Sequence, residues 1–308
     1  FAGNGYKLPD AVEEQLEDLV LNRMHSLPRP SGAGIGTITH RPELINEYIN
    51  YVASTVDTDF SNLKVVVDCA NGAAFEVAPA ILKRLGAEVI VINNKPNGTN
   101  INDNCGSTHL AGLQAAVLEQ KADFGIAHDG DADRCMAVDE TGEVVDGDKI
   151  MVICALAALK QGTLTDNTLV VTVMSNIGLH QAIKEAGGKV IVTPVGDRYV
   201  LEAMLEHGLV LGGEQSGHII FGNYSTTGDG IITALQLIQA VKKSGRKLSE
   251  LARAMTKYPQ VLVNVRVKDK TGWDRNEAIR RAIAAAENQL AERGRILVRP
   301  SGTEPLIR

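Results

Sequence analysis

Residues 63–72 read LKVVVDCANG, and residues 168–176 read TLVVTVMSN. Each is a run of mainly β-branched apolar residues that stops at a turn signal, Asn71-Gly72 in the first and Ser175-Asn176 in the second. Continuous apolar runs of this length, closed by turn residues, read as strands buried on both faces. The elements beyond the two runs come in the same order. After the first come a helix to Leu85, a strand over 88–92 (EVIVI), a helix over 110–120, a strand over 123–127 (DFGIA) and the loop DGDADR, 129–134. After the second come a helix to Ala186, a strand over 189–193 (KVIVT), a helix over 199–206, a short strand over 209–211 (LVL) and the loop GEQSGH, 213–218. The match goes on, because Gly147-Asp148-Lys149-Ile150 and Gly228-Asp229-Gly230-Ile231 each open a long apolar helix.

Such an internal repeat predicts an α/β fold: two repeated α/β sandwich-like units with mixed sheets, followed by a partial smaller α+β domain. The tail is expected to hold a strand over 259–268, a helix over 274–293 and a strand over 295–298. Ahead of the repeat, 12–22 and 42–54 read as helices around a Pro/Gly-rich stretch at 27–36. In α/β units ligands bind at the carboxyl ends of the strands, where both distinctive loops lie.

Composition narrows the function. Only 4% of the 308 residues are aromatic, so the cores must rest on Val, Ile, Leu and Ala. A net charge of −6 argues against a general nucleic-acid binder, although a local basic cleft could still hold an anion. No apolar run is long enough to span a bilayer, so no membrane is expected as a partner. Cys69, Cys105, Cys135 and Cys154 form no CxxC pair and read as free thiols of a cytoplasmic protein.

In DGDADR, three carboxylates (Asp129, Asp131 and Asp133) alternate just past a buried strand. So close together they repel unless a cation joins them, and hard oxygen donors suit Mg²⁺ or Ca²⁺. An EF-hand would need glycine where Arg134 stands, and helices rather than strands on either side. Three Asp ligands that leave coordination positions open fit a Mg²⁺ that also takes a phosphate oxygen. The loop Gly213–His218 offers an anion, an amide, a hydroxyl and an imidazole, which can either grip sugar hydroxyls or form a polar turn. Its position in the second copy, matching the metal loop in the first, favours the grip. Residues 299–305, RPSGTEP, with Arg308 beyond, combine hydroxyls, a glycine and fixed positive charge. They read as an anion cradle or as an ordinary Ser-Gly turn. Gly196-Asp197-Arg198 ends a strand, and either brings a charged pair to the cleft or caps a helix through Asp197. GAGIG at 32–36 follows no strand and carries no weight as a dinucleotide fingerprint.

DGDADR, GEQSGH and RPSGTEP, in this order and spacing, resemble the α-D-phosphohexomutase superfamily. GGEQSGHII, TTGDG and RPSGTEPLIR are most similar to its phosphoglucosamine mutase branch. The family loop usually reads DGDGDR, and Ala132 stands for its middle glycine. The resemblance implies a four-domain, heart-shaped enzyme that interconverts glucosamine 6-phosphate and glucosamine 1-phosphate through a phosphoserine and a bisphosphate intermediate. It implies Mg²⁺ on Asp129, Asp131 and Asp133, with Arg134 as a charge stabiliser. Gly196, Asp197, Arg198, Glu214, Ser216 and His218 would bind the phosphorylated amino sugar. Arg299, Ser301, Gly302, Thr303 and Arg308 would hold the non-reacting phosphate.

Under that resemblance residues 1–40 are a remnant of the first, nucleophile-bearing domain, and 41–147 are the metal-binding domain. Residues 148–256 form the sugar-binding domain and 257–308 a partial phosphate-binding domain. The family's Ser-x-His-Asn nucleophile motif has no counterpart. Ser107-Thr108-His109-Leu110 lacks the asparagine, and 3–10 (GNGYKLPD) resembles the segment that comes after that motif. The nucleophilic serine is therefore expected to be absent from this chain, which would read as a fragment inactive by itself. The helix over 12–22 would then show an apolar stripe without its partner. A homodimer stays open. So do a phosphomannomutase or phosphoglucomutase specificity and a non-catalytic metal- and phosphosugar-binding role.

Overall fold

The structure is a computed structural model that describes residues 1–291, 294–301 and 304–308. Helix α1 (Asp10–Leu21) leads into α2 (Leu44–Ala53) and then into the first α/β unit. That unit contains β1 (Lys64–Asp68), α3 (Ala74–Arg84), β2 (Glu88–Ile92), α4 (Ala111–Gln120), β3 (Phe124–Ala127), β4 (Met136–Asp139) and β5 (Val144–Val145). Helix α5 (Gly147–Gln161) leads to the second unit: β6 (Thr168–Thr172), α6 (Ile177–Glu185), β7 (Lys189–Thr193), α7 (Asp197–His207), β8 (Leu211–Gly213), β9 (Ile219–Phe221) and α8 (Gly230–Ser244). Then come α9 (Leu248–Ala252), β10 (Val265–Arg266), α10 (Glu277–Leu290) and β11 (Leu306–Ile307).

The repeat is real in three dimensions. The first sheet runs β2-β1-β3-β4-β5 and the second β7-β6-β8-β9. In both, the central strand pairs in parallel on each side, β1 with β2 and β3, β6 with β7 and β8. Beyond the loop of interest an antiparallel strand follows, β4 with β5 outside it in the first sheet and β9 at the edge of the second. This is the mixed α/β architecture read from the sequence. β1 and β6 are buried along nearly their whole length, which is why they are apolar at almost every position rather than alternating.

Helix α5 is the shared wall. Ile150, Met151, Val152 and Ile153 are buried in one continuous core that holds Val65 and Val67 of the first sheet together with Val171 and Leu235 of the second unit. Asp146 caps α5 through Lys149 N, and Asp229 caps α8 through Ile231 N and Ile232 N. The two Gly-Asp repeats gain a physical meaning here. Gly147 N donates to Gln215 O at 3.1 Å, and Gly230 N donates to Ala132 O at 2.9 Å. Each helix start thus packs on the loop of the other copy. A Cβ at Gly147 would overlap the Glu214 carbonyl, and one at Gly230 the Arg134 carbonyl.

Several sequence expectations are corrected. The strand expected at 209–211 lies at Leu211–Gly213, because β8 must reach the register that pairs Val170 with Gly212. Of the strand expected over 259–268, only Val265–Arg266 forms, paired to β11. Val261, Leu262 and Val263 are exposed, and a strand-like apolar pattern makes no strand without a neighbour to bond. Residues 295–298 form no strand. Of the helix expected over 274–293, Glu277–Leu290 forms, with a 3₁₀ turn at Trp273–Arg275 ahead of it, and residues 292 and 293 lie outside the described residues. Asp197 is the first residue of α7 rather than its cap, which is Gly196. Helix α1 buries none of its residues, and Leu16 and Val20 stand in the open.

Candidate functional site

Asp129 stands just beyond β3, so the end of a buried strand delivers it. Carboxylate oxygens of Asp129, Asp131 and Asp133 all lie within 4.8 Å of one another. Asp129 is 9% exposed, and its Oδ1 accepts a hydrogen bond from Arg134 N at 3.1 Å. The Arg134 guanidinium stands 3.6 Å from Asp129 and 3.8 Å from Asp133. Burial and the neighbouring Asp133 charge push the Asp129 carboxyl up to about 6. Asp133 is held low, chiefly by its hydrogen bond from His218.

Among the described residues, Asp133 Oδ1 is buried with no hydrogen-bond donor. A buried, unsatisfied acceptor beside two further carboxylates is the setting a cation completes, and the all-oxygen donor set fits a hard divalent ion. Residue 132 has a φ of 62°. That is the left-handed region a glycine enters freely and an alanine enters at about 1–2 kcal/mol. Alanine here leaves the three carboxylates in place but is not conformationally neutral.

The 213–218 loop meets the 129–134 loop directly. Arg134 and His218 form an antiparallel bridge, and Cys135 N donates to Gly217 O at 3.0 Å. His218 is 4% exposed. Its Nδ1 lies 3.0 Å from Asp133 Oδ2, and its Nε2 lies 3.6 Å from Asp197 Oδ2. Glu214 Oε1 accepts from Gly196 N at 3.0 Å, and Glu214 Oε2 from Ser216 Oγ at 3.2 Å. Three loops from two units are therefore joined through Asp133, His218, Asp197 and Glu214. Arg198 turns the other way, pairing with Asp10 and with Glu202. It is not brought to the aspartates.

The tail supplies a third group. Arg299 and Arg308 exchange backbone hydrogen bonds at 2.9 and 2.8 Å, and Ser301 N donates to Leu306 O at 2.8 Å. The arginines line a cleft of about 670 Å³ that also includes Gln215 of the 213–218 loop. Ser301 is buried, while Gly302 and Thr303 lie outside the described residues. Two cations near these sites escape the sequence reading. Lys7 makes an ion pair with Asp197, and Lys270 Nζ donates to Ser301 O at 2.7 Å. Neither lies in a periodic or motif context that marks it; only the likeness of residues 3–10 to a family segment hints at Lys7.

Comparison with known proteins gives the family. Residues 46–142 match phosphoglucomutase/phosphomannomutase alpha/beta/alpha domain II, 146–258 match domain III and 262–308 match the C-terminal domain. The chain is 57% identical over its 308 residues to a phosphoglucosamine mutase of Symbiobacterium thermophilum, and 58% identical to one of Moorella thermoacetica. It covers 69% of each. The chain belongs to the phosphoglucosamine mutase family. Among solved structures it resembles a phosphoglucomutase/phosphomannomutase family protein of Burkholderia thailandensis (TM-score 0.66, 22% identity, 84% of this chain and 54% of that one). It also resembles Aspergillus fumigatus N-acetylphosphoglucosamine mutase, solved in complex with GlcNAc-6P and magnesium (TM-score 0.67, 21% identity, 85% of this chain and 60% of that one). Those likenesses show the shared phosphosugar mutase fold. Among the described residues, no helix is long and apolar enough to cross a membrane.

The pKa of Asp129 has a measurable consequence. A cation needs the carboxylate, so binding must displace a proton as pH falls below about 6. Mg²⁺ affinity is expected to be level from about pH 7 to 8 and to drop about tenfold per unit below about 6, with proton release near pH 6. Calorimetry in buffers of differing ionisation enthalpy measures both, and a level affinity down to about pH 5 would remove Asp129 from the ligand set.

Proposed function

We propose that this chain carries the metal, sugar and phosphate sites of an enzyme that interconverts glucosamine 6-phosphate and glucosamine 1-phosphate. The observation that carries the reading is the join between loops. His218 of the sugar loop lies within hydrogen-bond distance of Asp133 in the metal loop and within ion-pair distance of Asp197, beyond the end of β7. Asp129, Asp131 and Asp133 hold Mg²⁺ in this proposal. Bound there, it neutralises charge on a transferring phosphoryl group. Arg134 stands at the rim of the same loop and adds a fixed positive charge. Glu214, Ser216 and His218, with Gly196 and Asp197, orient the sugar. Arg299, Ser301, Gly302, Thr303 and Arg308 grip the phosphate that does not react. Two grips on one small substrate leave the reacting oxygen little freedom, which is how positioning lowers a phosphoryl-transfer barrier.

The covalent carrier in this proposal is a phosphoserine that none of the chain's own site serines provides, the phosphoryl group passing through a bisphosphate. Ser107 is 7% exposed, beneath the strand ends. Ser216 donates to Glu214, and Ser301 is buried in the phosphate hairpin. The division into 41–147 for metal, 148–256 for sugar and 257–308 for phosphate belongs to the same proposal. So do cytoplasmic location and action on a soluble amino-sugar phosphate for cell-wall precursors, without nucleic acid or membrane.

With Mg²⁺, the chain is expected to bind glucosamine 6-phosphate more tightly than glucose 6-phosphate or mannose 6-phosphate, and to form no 1-phosphate by ³¹P NMR. Equal affinity for the three sugars would overturn the amino-sugar reading. Turnover, with contaminating mutase excluded, would place the nucleophile within this chain.

A further inference from the structure

The turn from Val173 to Asn176, at the end of β6, belongs to none of the three grips. Yet the C-terminal part of the chain touches every residue of it. Asn176 accepts from Tyr258 N at 3.0 Å and donates to Tyr258 O at 2.8 Å. Gln260 Nε2 donates to Met174 O at 3.3 Å. The Arg295 guanidinium donates through Nη2 to the carbonyls of both Val173 and Ser175. Tyr258 and Gln260 fasten the connecting chain. Arg295 fastens its far end, four residues before Arg299.

Beneath this turn lies a charge that needs a partner. Asp148, in the first turn of α5, is fully buried, and its Oδ2 accepts from Asn176 N at 2.6 Å. Among the described residues its Oδ1 finds no hydrogen-bond partner. A carboxylate removed from water is costly unless a cation faces it. The cations on this side of the molecule are Lys257, paired with Asp146 of the same helix start at 2.7 Å, and Arg295, held on the turn above. The clamp is therefore a single guanidinium nitrogen, Nη2, that spans two backbone carbonyls of the turn.

We propose that Arg295 is a positioning residue that clamps the phosphate hairpin onto the Val173–Asn176 turn and so fixes the span between Arg299 and Arg308 at one end and the sugar loop at the other. That a phosphosugar bridges this span rests on the functional proposal above; the clamp itself does not. A ligand held at both ends binds tightly only when the two grips stand at the right separation, because the second contact is then made at high effective concentration. A ligand that touches the hairpin alone gains nothing from the clamp.

The test separates these points. Spin labels on Glu206→Cys of α7 and Arg281→Cys of α10 report the separation of the two parts by pulsed electron resonance, the four native cysteines being buried. A single narrow distance distribution is expected with Arg295 present and a broad one in Arg295→Ala, with Arg295→Lys between them. By calorimetry, Arg295→Ala should weaken glucosamine 6-phosphate about tenfold and leave inorganic phosphate within about twofold. An unchanged distance distribution would overturn the clamp. Equal loss of both ligands, with loss of helical signal, would also overturn it, by showing that Arg295 merely holds the tail folded. If the unsubstituted chain binds inorganic phosphate but not the phosphosugar, the functional proposal fails, and the label distances still decide the clamp.

Discussion

Asp131→Asn should weaken Mg²⁺ binding by about 100-fold or more while leaving thermal stability and the circular dichroism spectrum as they were. Of the three aspartates this one is the clean test. Asp129 also holds the Arg134 backbone, and Asp133 also holds His218, so replacing either disturbs the loop as well as the ligand set. Asp131 is exposed, and the hydrogen bonds that shape the turn run through its neighbours. Its oxygen nevertheless lies within 4.8 Å of the other two. The magnitude rests on metal sites in general, where losing even an outer-sphere partner of a ligand costs about 10–100-fold in affinity. Calorimetric titration at about pH 7.5, above the range where Asp129 takes up a proton, isolates the ligand effect. An unchanged affinity with a folded variant would mean the alternating carboxylates hold no ion.

The features legible in the amino-acid sequence are those set by local spacing. β2 and β7 fall on the expected residues, 88–92 and 189–193, because each is a short β-branched run between turn residues. β4, β5 and β9 leave no such mark. They are two to four residues long, and each exists only because a neighbour offers an edge to pair with. The opposite error at 259–264 has the same cause, a strand-like pattern that finds no edge. At the site, Asp129, Asp131 and Asp133 are legible since their spacing is local. The bridge from Arg134 to His218, which turns two motifs into one site, joins residues far apart in the chain, and the sequence reaches it only through the repeat. Lys7 and Arg295 carry no local mark of their roles for that reason too: each role is fixed by the distant segment reached, the start of α7 for Lys7 and the turn after β6 for Arg295. The left-handed φ at Ala132 shows the limit of motif reading, in which the replaced glycine looks incidental although its backbone conformation is the one glycine favours.

Glu214→Ala is expected to lower kcat/KM by about 100-fold or more in the intact enzyme, and to leave the affinity of the chain for inorganic phosphate unaltered. The sequence suggests a carboxylate that grips sugar hydroxyls. The structure adds a second duty that enlarges the effect. Both Glu214 oxygens are engaged, one by Gly196 N and the other by Ser216 Oγ, so the side chain ties the strand end that carries Asp197 to the loop that carries His218. Truncation frees both, and with them the 3.6 Å approach of Asp197 to His218 Nε2. Glu214→Gln separates the two duties. Its amide oxygen can still accept from Gly196 N, so the loops should stay joined, while the negative charge offered to the sugar is gone. If Glu214 acts mainly on the sugar, Gln should be nearly as damaging as Ala. If it acts mainly as a tie, Gln should restore most of the activity. Both tied partners, Gly196 and Ser216, lie outside the 299–308 hairpin proposed to hold phosphate, so inorganic phosphate binding serves as the internal control. A Glu214→Ala enzyme with full activity would move the sugar site away from this loop altogether.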